Sequence, residues 1–257
     1  MNAYLEELFS LEGKVALVTG ASRGLGKAMA IALAKAGADV VITATNEDNL
    51  VETAAAIHDT GRKVIAIACD QSQPEQIDQV FVKVQAVFGR LDILINNAGT
   101  IRRAPAHKTL DEDWNHVINT NLNGVFHFCR SAGAMMLEAG SGKIINIASL
   151  LTFSGGITVP AYAASKGAVG QLTKALANEW AASNIQVNAI APGYFATDNT
   201  QQLQDDPERN ASITARIPCG KWGQPEDLTG AALFLSSQAA NYVNGHILLV
   251  DGGWMAR

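Results

Sequence analysis

Four polar residues, Asn121, Ser149, Tyr162 and Lys166, are of the types and at the spacings that proton transfer needs. Tyr162 and Lys166 are four residues apart, so on a helix they share one face. An ammonium group beside a phenol favours the phenolate and lowers a pKa that is about 10 in the free side chain. A tyrosine in that position can act as an acid or a base near neutral pH. The pair therefore predicts a general acid–base site.

A glycine-rich turn, Thr19–Gly26, follows an apolar run near the start of the chain and leads into a helical pattern. Gly20, Gly24 and Gly26 have the spacing G-x3-G-x-G. Glycines let a backbone turn sharply and approach a pyrophosphate closely, and the following helix N-terminus offers amide donors. The turn predicts a dinucleotide site that would carry a hydride while Tyr162 moves a proton. A plain glycine-rich strand–helix turn is the alternative.

The end of the second predicted strand bears on the choice between NAD and NADP. An NAD site usually has an acidic residue there, which accepts a hydrogen bond from the ribose 2′-hydroxyl. This chain has Ala44, Thr45 and Asn46 instead, and Glu47 comes only at the start of the next helix. Arg23 in the glycine turn could reach a 2′-phosphate, although an exposed loop arginine is the alternative. We therefore predict that NADP(H) is favoured over NAD(H).

Two further strand ends supply candidate coenzyme contacts. Asp70 follows the third strand and either accepts from an adenine amino group or makes a turn. The stretch 96–99, Asn-Asn-Ala-Gly, follows the fourth strand, where small residues permit close passage of a coenzyme and asparagines can tie strand ends together. The full predicted coenzyme set is Gly20, Ser22, Arg23, Gly24, Leu25, Gly26, Thr45, Asn46, Asp70, Gln71, Asn97, Ala98, Gly99, Tyr162, Lys166, Pro192, Gly193, Phe195 and Thr197.

Short apolar runs alternate with longer amphipathic or alanine-rich segments along the chain. The runs are continuously apolar, which is typical of parallel strands covered on both faces. The alternation predicts an α/β fold: one Rossmann-like domain over 1–257, with a doubly wound parallel sheet of about seven strands and helices on both faces. A long polar connection, 194–219, follows the sixth strand and is predicted to be a substrate lid. The predicted strands are Lys14–Thr19, Val40–Ala44, Val64–Cys69, Ile93–Ile95, Lys143–Ala148, Gln186–Ile190 and His246–Val250, and the predicted helices are Gly24–Ala36, Asp48–Thr60, Pro74–Phe88, Leu110–Leu137, Ala161–Ala182 and Pro225–Ser236.

Composition argues against several classes of function. The net charge of −5 and the scattered basic residues argue against nucleic acid as a partner. No apolar stretch reaches the roughly 20 residues that cross a bilayer, and the N-terminus lacks a signal-peptide pattern. The three cysteines form no CxxC pair, and His107, His127 and His246 do not have metal-binding spacing. We expect a cytoplasmic protein with no membrane contact and no metal.

The motifs together resemble the short-chain dehydrogenase/reductase family over the whole chain. The resemblance is carried by Thr19–Gly26, Asn96–Gly99, Asn121, Ser149, Tyr162-x3-Lys166 and Pro192-Gly193. It implies that Tyr162 exchanges the proton and that Lys166 lowers its pKa and holds the nicotinamide ribose. It also implies that Ser149 bonds the substrate oxygen, that Asn121 anchors a water, and that the protein is a homotetramer.

Other stretches resemble one branch of that family, the 2-dehydro-3-deoxy-D-gluconate 5-dehydrogenases and gluconate 5-dehydrogenases. They are Ile101-Arg102-Arg103, 155–160, 178–181, 191–203 and 250–257. The branch implies oxidoreduction at C5 of a sugar acid in the breakdown of pectin or related uronates. Because a guanidinium can bind a carboxylate through two hydrogen bonds, we expect Arg103, helped by Arg102, to hold the substrate carboxylate; a solvated pair on a loop is the alternative. Gln201 and Gln202 in the predicted lid are candidates for the hydroxyl groups, and glutamines that face solvent are the alternative.

Two other functions remain to be weighed. Arg23 with the stretch 43–46 resembles NADPH-linked 3-oxoacyl-carrier-protein reductases, but an acidic carrier protein would favour a basic surface, and only Arg102 and Arg103 stand near the tetrad. A non-enzymatic nucleotide-binding protein on the same fold usually lacks the proton donor, whereas this tetrad is intact. A sugar-acid oxidoreductase is the favoured interpretation.

Overall fold

A seven-stranded parallel sheet forms the centre of the protein, for which a computed structural model describes residues 3–257. Met1 and Asn2, with which the predicted 1–257 domain begins, lie outside that range. The strand order is β3-β2-β1-β4-β5-β6-β7, and each neighbouring pair is parallel. The strands are β1 Val15–Thr19, β2 Asp39–Ala44, β3 Val64–Ala68, β4 Ile93–Asn96, β5 Gly142–Ile147, β6 Ile185–Pro192 and β7 Ile247–Val250.

The strands are apolar along their length because helices cover both faces of the sheet. Every residue of β1, β4 and β6 is buried. On one face, Met29 and Leu33 join a core cluster with Ile42 of β2, and on the other face Phe128 and Trp180 pack with Leu94 of β4. These features confirm the predicted doubly wound α/β fold.

Ten α-helices connect and cover the strands in the described part of the chain. The order of the strands reverses at β1, which lies between β2 and β4, and open sheets of this kind bind ligands outside the carboxyl ends of the strands at that point. The helices are α1 Ala3–Phe9, α2 Gly24–Lys35, α3 Val51–His58, α4 Pro74–Phe88, α5 Asp111–Ile118, α6 Gly124–Ala139, α7 Pro160–Trp180, α8 Gln201–Gln204, α9 Pro207–Arg216 and α10 Thr229–Ser236.

Two helices differ from their predicted form. The predicted helix Leu110–Leu137 is divided into α5 and α6 by a π-helical turn, Asn119–Asn123, which inserts a wider loop of backbone. The predicted helix Asp48–Thr60 begins as a 3-10 turn, Glu47–Leu50, and its α-helical part ends at His58. In both cases the apolar spacing continues through the irregular turn, so the pattern alone does not reveal it.

The segment 194–219 contains two short helices, α8 and α9. The side chain of Asp206 caps α9 by accepting hydrogen bonds from the backbone N–H groups of Glu208 and Arg209, both at 3.1 Å. Pro207 occupies the first helical position, where its missing N–H costs nothing. The helix ends at Arg216 because Pro218 disfavours helical geometry at Ile217.

Candidate active site

The glycine turn between β1 and α2 forms a cradle that side chains would fill. Gly20 and Gly24 have positive φ angles of 63° and 54°. A Cβ on Gly20 would lie 2.7 Å from the Cα of Ala98, and one on Gly26 would overlap the carbonyl oxygen of Gly20. The turn is therefore packed against itself and against the loop after β4, and it leaves the N-terminus of α2 facing the cavity. This cradle fits a pyrophosphate bound to backbone amides.

The loop after β4 is held against the glycine turn by hydrogen bonds. The hydroxyl oxygen of Thr19 accepts from the backbone N–H groups of Asn97 and Ala98, both at 3.0 Å. The side-chain amide of Asn97 donates to the carbonyl oxygens of Thr19 at 2.9 Å and Gly20 at 3.0 Å. Deeper in the sheet, Asn96 donates to Asn146 of β5 at 2.9 Å. The asparagines thus join the ends of β1, β4 and β5.

The three residues predicted to contact a 2′-phosphate, Arg23, Thr45 and Asn46, do not all reach the cavity. Arg23 and Thr45 line the cavity, but Asn46 does not, because its side chain turns back and accepts from the backbone N–H of Asp48 at 2.9 Å. Arg23 forms an exposed ion pair with Asp198 at 3.0 Å. Neither Ala44 nor Thr45 offers a carboxylate to a ribose. The side-chain oxygen of Asn46 is therefore engaged in a local turn, and its role toward a 2′-phosphate stays a prediction.

Asp70 and Gln71 follow β3 and both line the cavity. One oxygen of Asp70 accepts from the backbone and hydroxyl of Ser72, at 2.9 and 2.8 Å, as in a turn. The other oxygen makes no such contact, so the turn and the adenine roles are compatible. The buried amide of Gln71 donates to the carbonyl oxygens of Ala98 at 3.0 Å and Thr120 at 2.6 Å. Gln71 therefore links the coenzyme loops to the π-helical turn.

Ser149, Tyr162 and Lys166 stand together at the carboxyl end of β5. Ser149 begins a single 3-10 turn and accepts from the backbone N–H of Leu151 at 3.2 Å. The hydroxyl of Thr152, at the end of that turn, donates to the carbonyl oxygen of Lys166 at 2.9 Å. The ammonium of Lys166 donates to the carbonyl oxygen of Ile147 at 2.5 Å and lies 5.7 Å from the centre of the Tyr162 ring. The turn after β5 and the helix α7 thus fix all three side chains.

The pKa of Tyr162 differs from the sequence-based expectation. Burial raises the pKa of the phenol, while a hydrogen bond with Ser149 and the charge of Arg103 lower it. The Lys166 ammonium donates to the carbonyl oxygen of Ile147 and stands beside the Tyr162 ring without a hydrogen bond to the phenol. Burial also lowers the pKa of Lys166 itself to about 8. In this structure burial therefore outweighs the groups that favour the phenolate, and Arg103 is a nearby cation that the sequence analysis had not assigned to Tyr162.

Asn121 is fully buried in the π-helical turn and does not line the cavity. Its side-chain oxygen accepts from the backbone N–H of Thr100 at 2.8 Å. Its side-chain nitrogen donates to the carbonyl oxygen of Thr100 at 2.9 Å and to the hydroxyl of Ser165 at 3.3 Å. The amide therefore ties the loop after β4 to α7, and any water held by Asn121 would have to bind its backbone.

The predicted substrate residues separate into two groups. Arg103 lines the cavity, whereas Arg102 does not: its guanidinium lies 3.4 Å from Asp113 and donates to the hydroxyl of Thr100. Gln201 also points elsewhere and donates to Asp205 at 2.7 Å. Of these two adjacent arginines, Arg103 faces the cavity and Arg102 is paired outside it. The predictions for Arg102 and Gln201 are not supported by their positions.

Several residues of the site escaped the sequence analysis. Arg209, Ser212 and Arg216 of α9 line the cavity, beside Gln202, which the sequence analysis had named as a candidate. The sequence did contain a pattern that could have identified them, because the three- and four-residue spacing of one helix face relates positions 209, 212, 213 and 216. The cavity measures about 1220 Å³, more than the roughly 300–1,000 Å³ of a typical small-ligand site, and it has room for a dinucleotide together with a small substrate.

Neither a metal centre nor a membrane span is visible in the described part of the chain. Within residues 3–257, no three His, Cys, Asp or Glu side chains stand close enough together to hold a metal ion. No helix in the same range has the length and hydrophobicity needed to cross a bilayer.

Comparisons with known proteins agree with this geometry. A family model described as "Enoyl-(Acyl carrier protein) reductase" matches residues 20–255. A 2-dehydro-3-deoxy-D-gluconate 5-dehydrogenase of Pseudoalteromonas atlantica is 55% identical over 98% of this chain and 99% of its own length. The enzyme of the same name from Bacillus subtilis is 53% identical over 99% of each chain.

A solved structure extends the likeness to three dimensions. The gluconate 5-dehydrogenase of Burkholderia cenocepacia, in complex with NADP and tartrate, is 40% identical, with a TM-score of 0.95 over 98% of this chain and 99% of that one. The fold, the glycine turn and these relatives lead to one conclusion. The chain belongs to the short-chain dehydrogenase/reductase family and is an NAD(P)-dependent dehydrogenase that acts on a hydroxyl group.

Proposed function

We propose that this enzyme transfers a hydride between NADP(H) and C5 of a keto or hydroxy sugar acid, as a 2-dehydro-3-deoxy-D-gluconate 5-dehydrogenase or a gluconate 5-dehydrogenase would. The observation that carries the proposal is Arg103, which lines the cavity close enough to Tyr162 for its charge to lower the phenol pKa. A cation there suits a substrate with a carboxylate a few bonds from the reacting carbon. The names of the relatives, and the tartrate in one of them, point to the same class of hydroxy acid.

The proposed reaction assigns the proton to Tyr162. The coenzyme supplies or accepts the hydride at the substrate carbon. In the reducing direction, Tyr162 gives its phenolic proton to the carbonyl oxygen, and Ser149 donates a hydrogen bond to the same oxygen as negative charge develops there. Lys166 and Arg103 are the cations that stabilise the phenolate left behind. In the oxidising direction, the phenolate takes the proton back.

The coenzyme would lie along the carboxyl ends of β1, β2 and β4. Gly20, Ser22, Gly24 and Leu25 offer the pyrophosphate cradle, and Arg23 with Thr45 offers donors for a 2′-phosphate. The absence of a carboxylate at 44 and 45 supports a preference for NADP(H). The remaining predicted contacts, including Pro192, Gly193, Phe195 and Thr197, line the same cavity.

The assembly and the context belong to the same proposal. We propose a cytoplasmic homotetramer of single-domain subunits, each with 194–219 as a lid, that acts in uronate breakdown. Trp114 and Phe126 on α5 and α6 and Tyr242 beside β7 support an assembly, because they are exposed large apolar side chains.

The test is a grid of initial rates. NADH and NADPH are each combined with 5-keto-D-gluconate, other 5-keto sugar acids and an acetoacetyl thioester. Turnover on a keto sugar acid is expected; turnover on the thioester alone would replace the proposal with a carrier-protein reductase. Tyr162→Phe should abolish turnover and spare coenzyme binding, so a fully active variant would contradict the proton assignment.

Arg23→Ala tests the coenzyme preference separately. Because a guanidinium–phosphate contact is worth roughly 1.5–3 kcal/mol, we expect the KM for NADPH to rise about 10- to 100-fold and that for NADH to change little. An unchanged KM for NADPH would refute the preference.

A further inference from the structure

The helix α9 presents one face to the cavity, and that face carries cations. Ile213 is buried in a cluster with Leu150, Ile217 and Trp254, which fixes how the helix is turned. Arg209 lies four residues before Ile213, Arg216 lies three residues after it, and Ser212 directly precedes it. All three line the cavity. The cluster therefore holds two guanidinium groups at the wall of the site.

Arg216 is held in place by an aromatic ring. Its guanidinium carbon lies 4.1 Å from the ring centre of Trp254, which is only 7% exposed. Trp254 in turn packs against Tyr194, with ring centres 4.7 Å apart. Stacking engages the flat face of a guanidinium and leaves its N–H donors, which lie in the plane, free to bind. The stack thus orients Arg216 without occupying its donors.

Arg216 has no anionic partner of its own within residues 3–257. Arg62 and Arg90, by contrast, are paired with carboxylates in the body of the protein, and Arg23 and Arg102 are paired beside the site. No side-chain hydrogen bond from Arg216 is present in the same range. Arg216 is exposed at the cavity wall, and a stacked guanidinium there without a protein acceptor among the described residues is suited to a ligand anion.

The position of Arg216 indicates which anion it meets. Leu150, in the cluster beneath α9, is adjacent to Ser149, so Arg216 lies on the substrate side of the cavity. The predicted phosphate contacts Thr45 and Arg23 belong to the loops after β2 and β1, where the coenzyme would bind. The partner expected for Arg216 is therefore a substrate carboxylate rather than a phosphate.

We propose that Arg216, stacked on Trp254, is a specificity-determining residue that binds the substrate carboxylate from the α9 side, opposite Arg103. The proposal rests on the proposed function, because it requires an acidic substrate. Since α9 belongs to the predicted lid, the carboxylate would also draw that segment onto the substrate. The enzyme would then distinguish sugar acids from the corresponding uncharged ketoses.

The experiment compares two substrates and four proteins. The substrates are 5-keto-D-gluconate and the ketose in which a hydroxymethyl group replaces its carboxylate, each with NADPH. The proteins are wild type, Arg216→Met, Arg216→Lys and Lys221→Met. Methionine retains bulk over Trp254 without the charge, lysine retains the charge, and Lys221 is an exposed cation on the following loop outside the main cavity.

We expect Arg216→Met to lower kcat/KM for the acid about 10- to 100-fold through KM, and to change kcat/KM for the ketose and the KM for NADPH less than about 3-fold. Arg216→Lys should recover part of the loss, and Lys221→Met should match wild type. An equal loss on both substrates would make Arg216 a packing residue and overturn the proposal, as would no loss on the acid. A wild-type enzyme inactive on every sugar acid would instead overturn the proposed function, and this inference with it.

Discussion

Replacing Lys166 with methionine would measure the cost of keeping a charged amine inside the protein. Lys166 is 4% exposed, and burial lowers its pKa from 10.5 to about 8. One pKa unit corresponds to 1.36 kcal/mol, so at pH 7 the charged form destabilises the coenzyme-free fold by about 3 kcal/mol. The proposed mechanism requires this lysine, so the variant should be inactive.

The sign of the pH dependence follows from proton binding. Between about pH 8 and 10.5 the unfolded chain holds a proton on Lys166 that the folded protein has lost. Stability therefore rises with pH in that window. For these two pKa values, the contribution of Lys166 to the free energy of unfolding increases by about 1.3 kcal/mol between pH 7 and pH 9. The methionine variant lacks this contribution, so the free energy of unfolding of wild type minus that of the variant should increase by that amount.

The assay is urea denaturation of the coenzyme-free proteins at several values between pH 7 and pH 9. Protein concentration is fixed, because dissociation of an oligomer would make stability depend on it. Taking the difference removes the contributions of other groups that titrate nearby, such as Lys143, whose pKa is also lowered to about 8. The range stays below the usual pKa of tyrosine, above which Tyr162, whose pKa burial raises, would add the opposite trend.

The matched control is Lys174→Met, which removes an exposed lysine from the same helix. The control difference should be flat across the range. A flat difference for Lys166→Met as well would refute the reasoning, since it would mean that the ammonium is solvated in the folded protein. A difference that falls with pH would mean that the folded state binds the proton more tightly than the unfolded chain.

Two further substitutions test the framework of the site. In Gly26→Ala, the new Cβ would overlap the carbonyl oxygen of Gly20 and the amide of Asn97. We therefore expect the free energy of unfolding in urea to fall by about 1–3 kcal/mol and NADPH to bind more weakly in a fluorescence titration. The control is Gly167→Ala, whose Cβ meets no atom within 4 Å, and equal effects at both sites would contradict the close packing inferred for the glycine turn. Asn121→Ala would remove the side-chain partner of the polar groups of Thr100 and Ser165, so we expect the free energy of unfolding to fall by about 2–3 kcal/mol and turnover to fall as well. A variant as stable as wild type in urea would contradict the inference that Asn121 ties the loop after β4 to α7.

The sheet and the glycine turn were predictable because local signals agree with one another. Continuous apolar runs, glycines at a strand end and helix-forming segments all indicated the same alternation, and the predicted strand Lys143–Ala148 differs from β5 by a residue at each end. The division of Leu110–Leu137 was not predictable, since a π-helical turn keeps the apolar spacing of its neighbours. Contacts from outside the helix, from Gln71 to Thr120 and between Asn121 and Thr100, hold that turn, and the sequence pattern does not show them.

The burial of Tyr162 was not predictable for a different reason. Spacing places Tyr162 and Lys166 on one helix face, but it says nothing about how far each group is removed from water. In the folded protein, burial opposes the charged form of both side chains, and the carbonyl oxygen of Ile147 holds the ammonium. Likewise, adjacent arginines in a loop are equivalent in sequence, and only Asp113 shows which one turns away from the cavity.

The two halves of the site differ in how firmly the protein holds them. Ser149, Tyr162 and Lys166 are fixed by a buried turn and by α7, and the hydrogen bond between Asn146 and Thr173, at 3.0 Å, ties that helix to β5. The cations of α9 lie on a ten-residue helix in which only Ile213 is buried. Changes at Arg209 or Arg216 therefore disturb little of the core, whereas a change at Lys166 alters the balance of charge inside it. Under the proposed mechanism, substrate choice can consequently change through α9 without a large effect on stability, while Tyr162 and Lys166 cannot be altered independently of the fold that desolvates them.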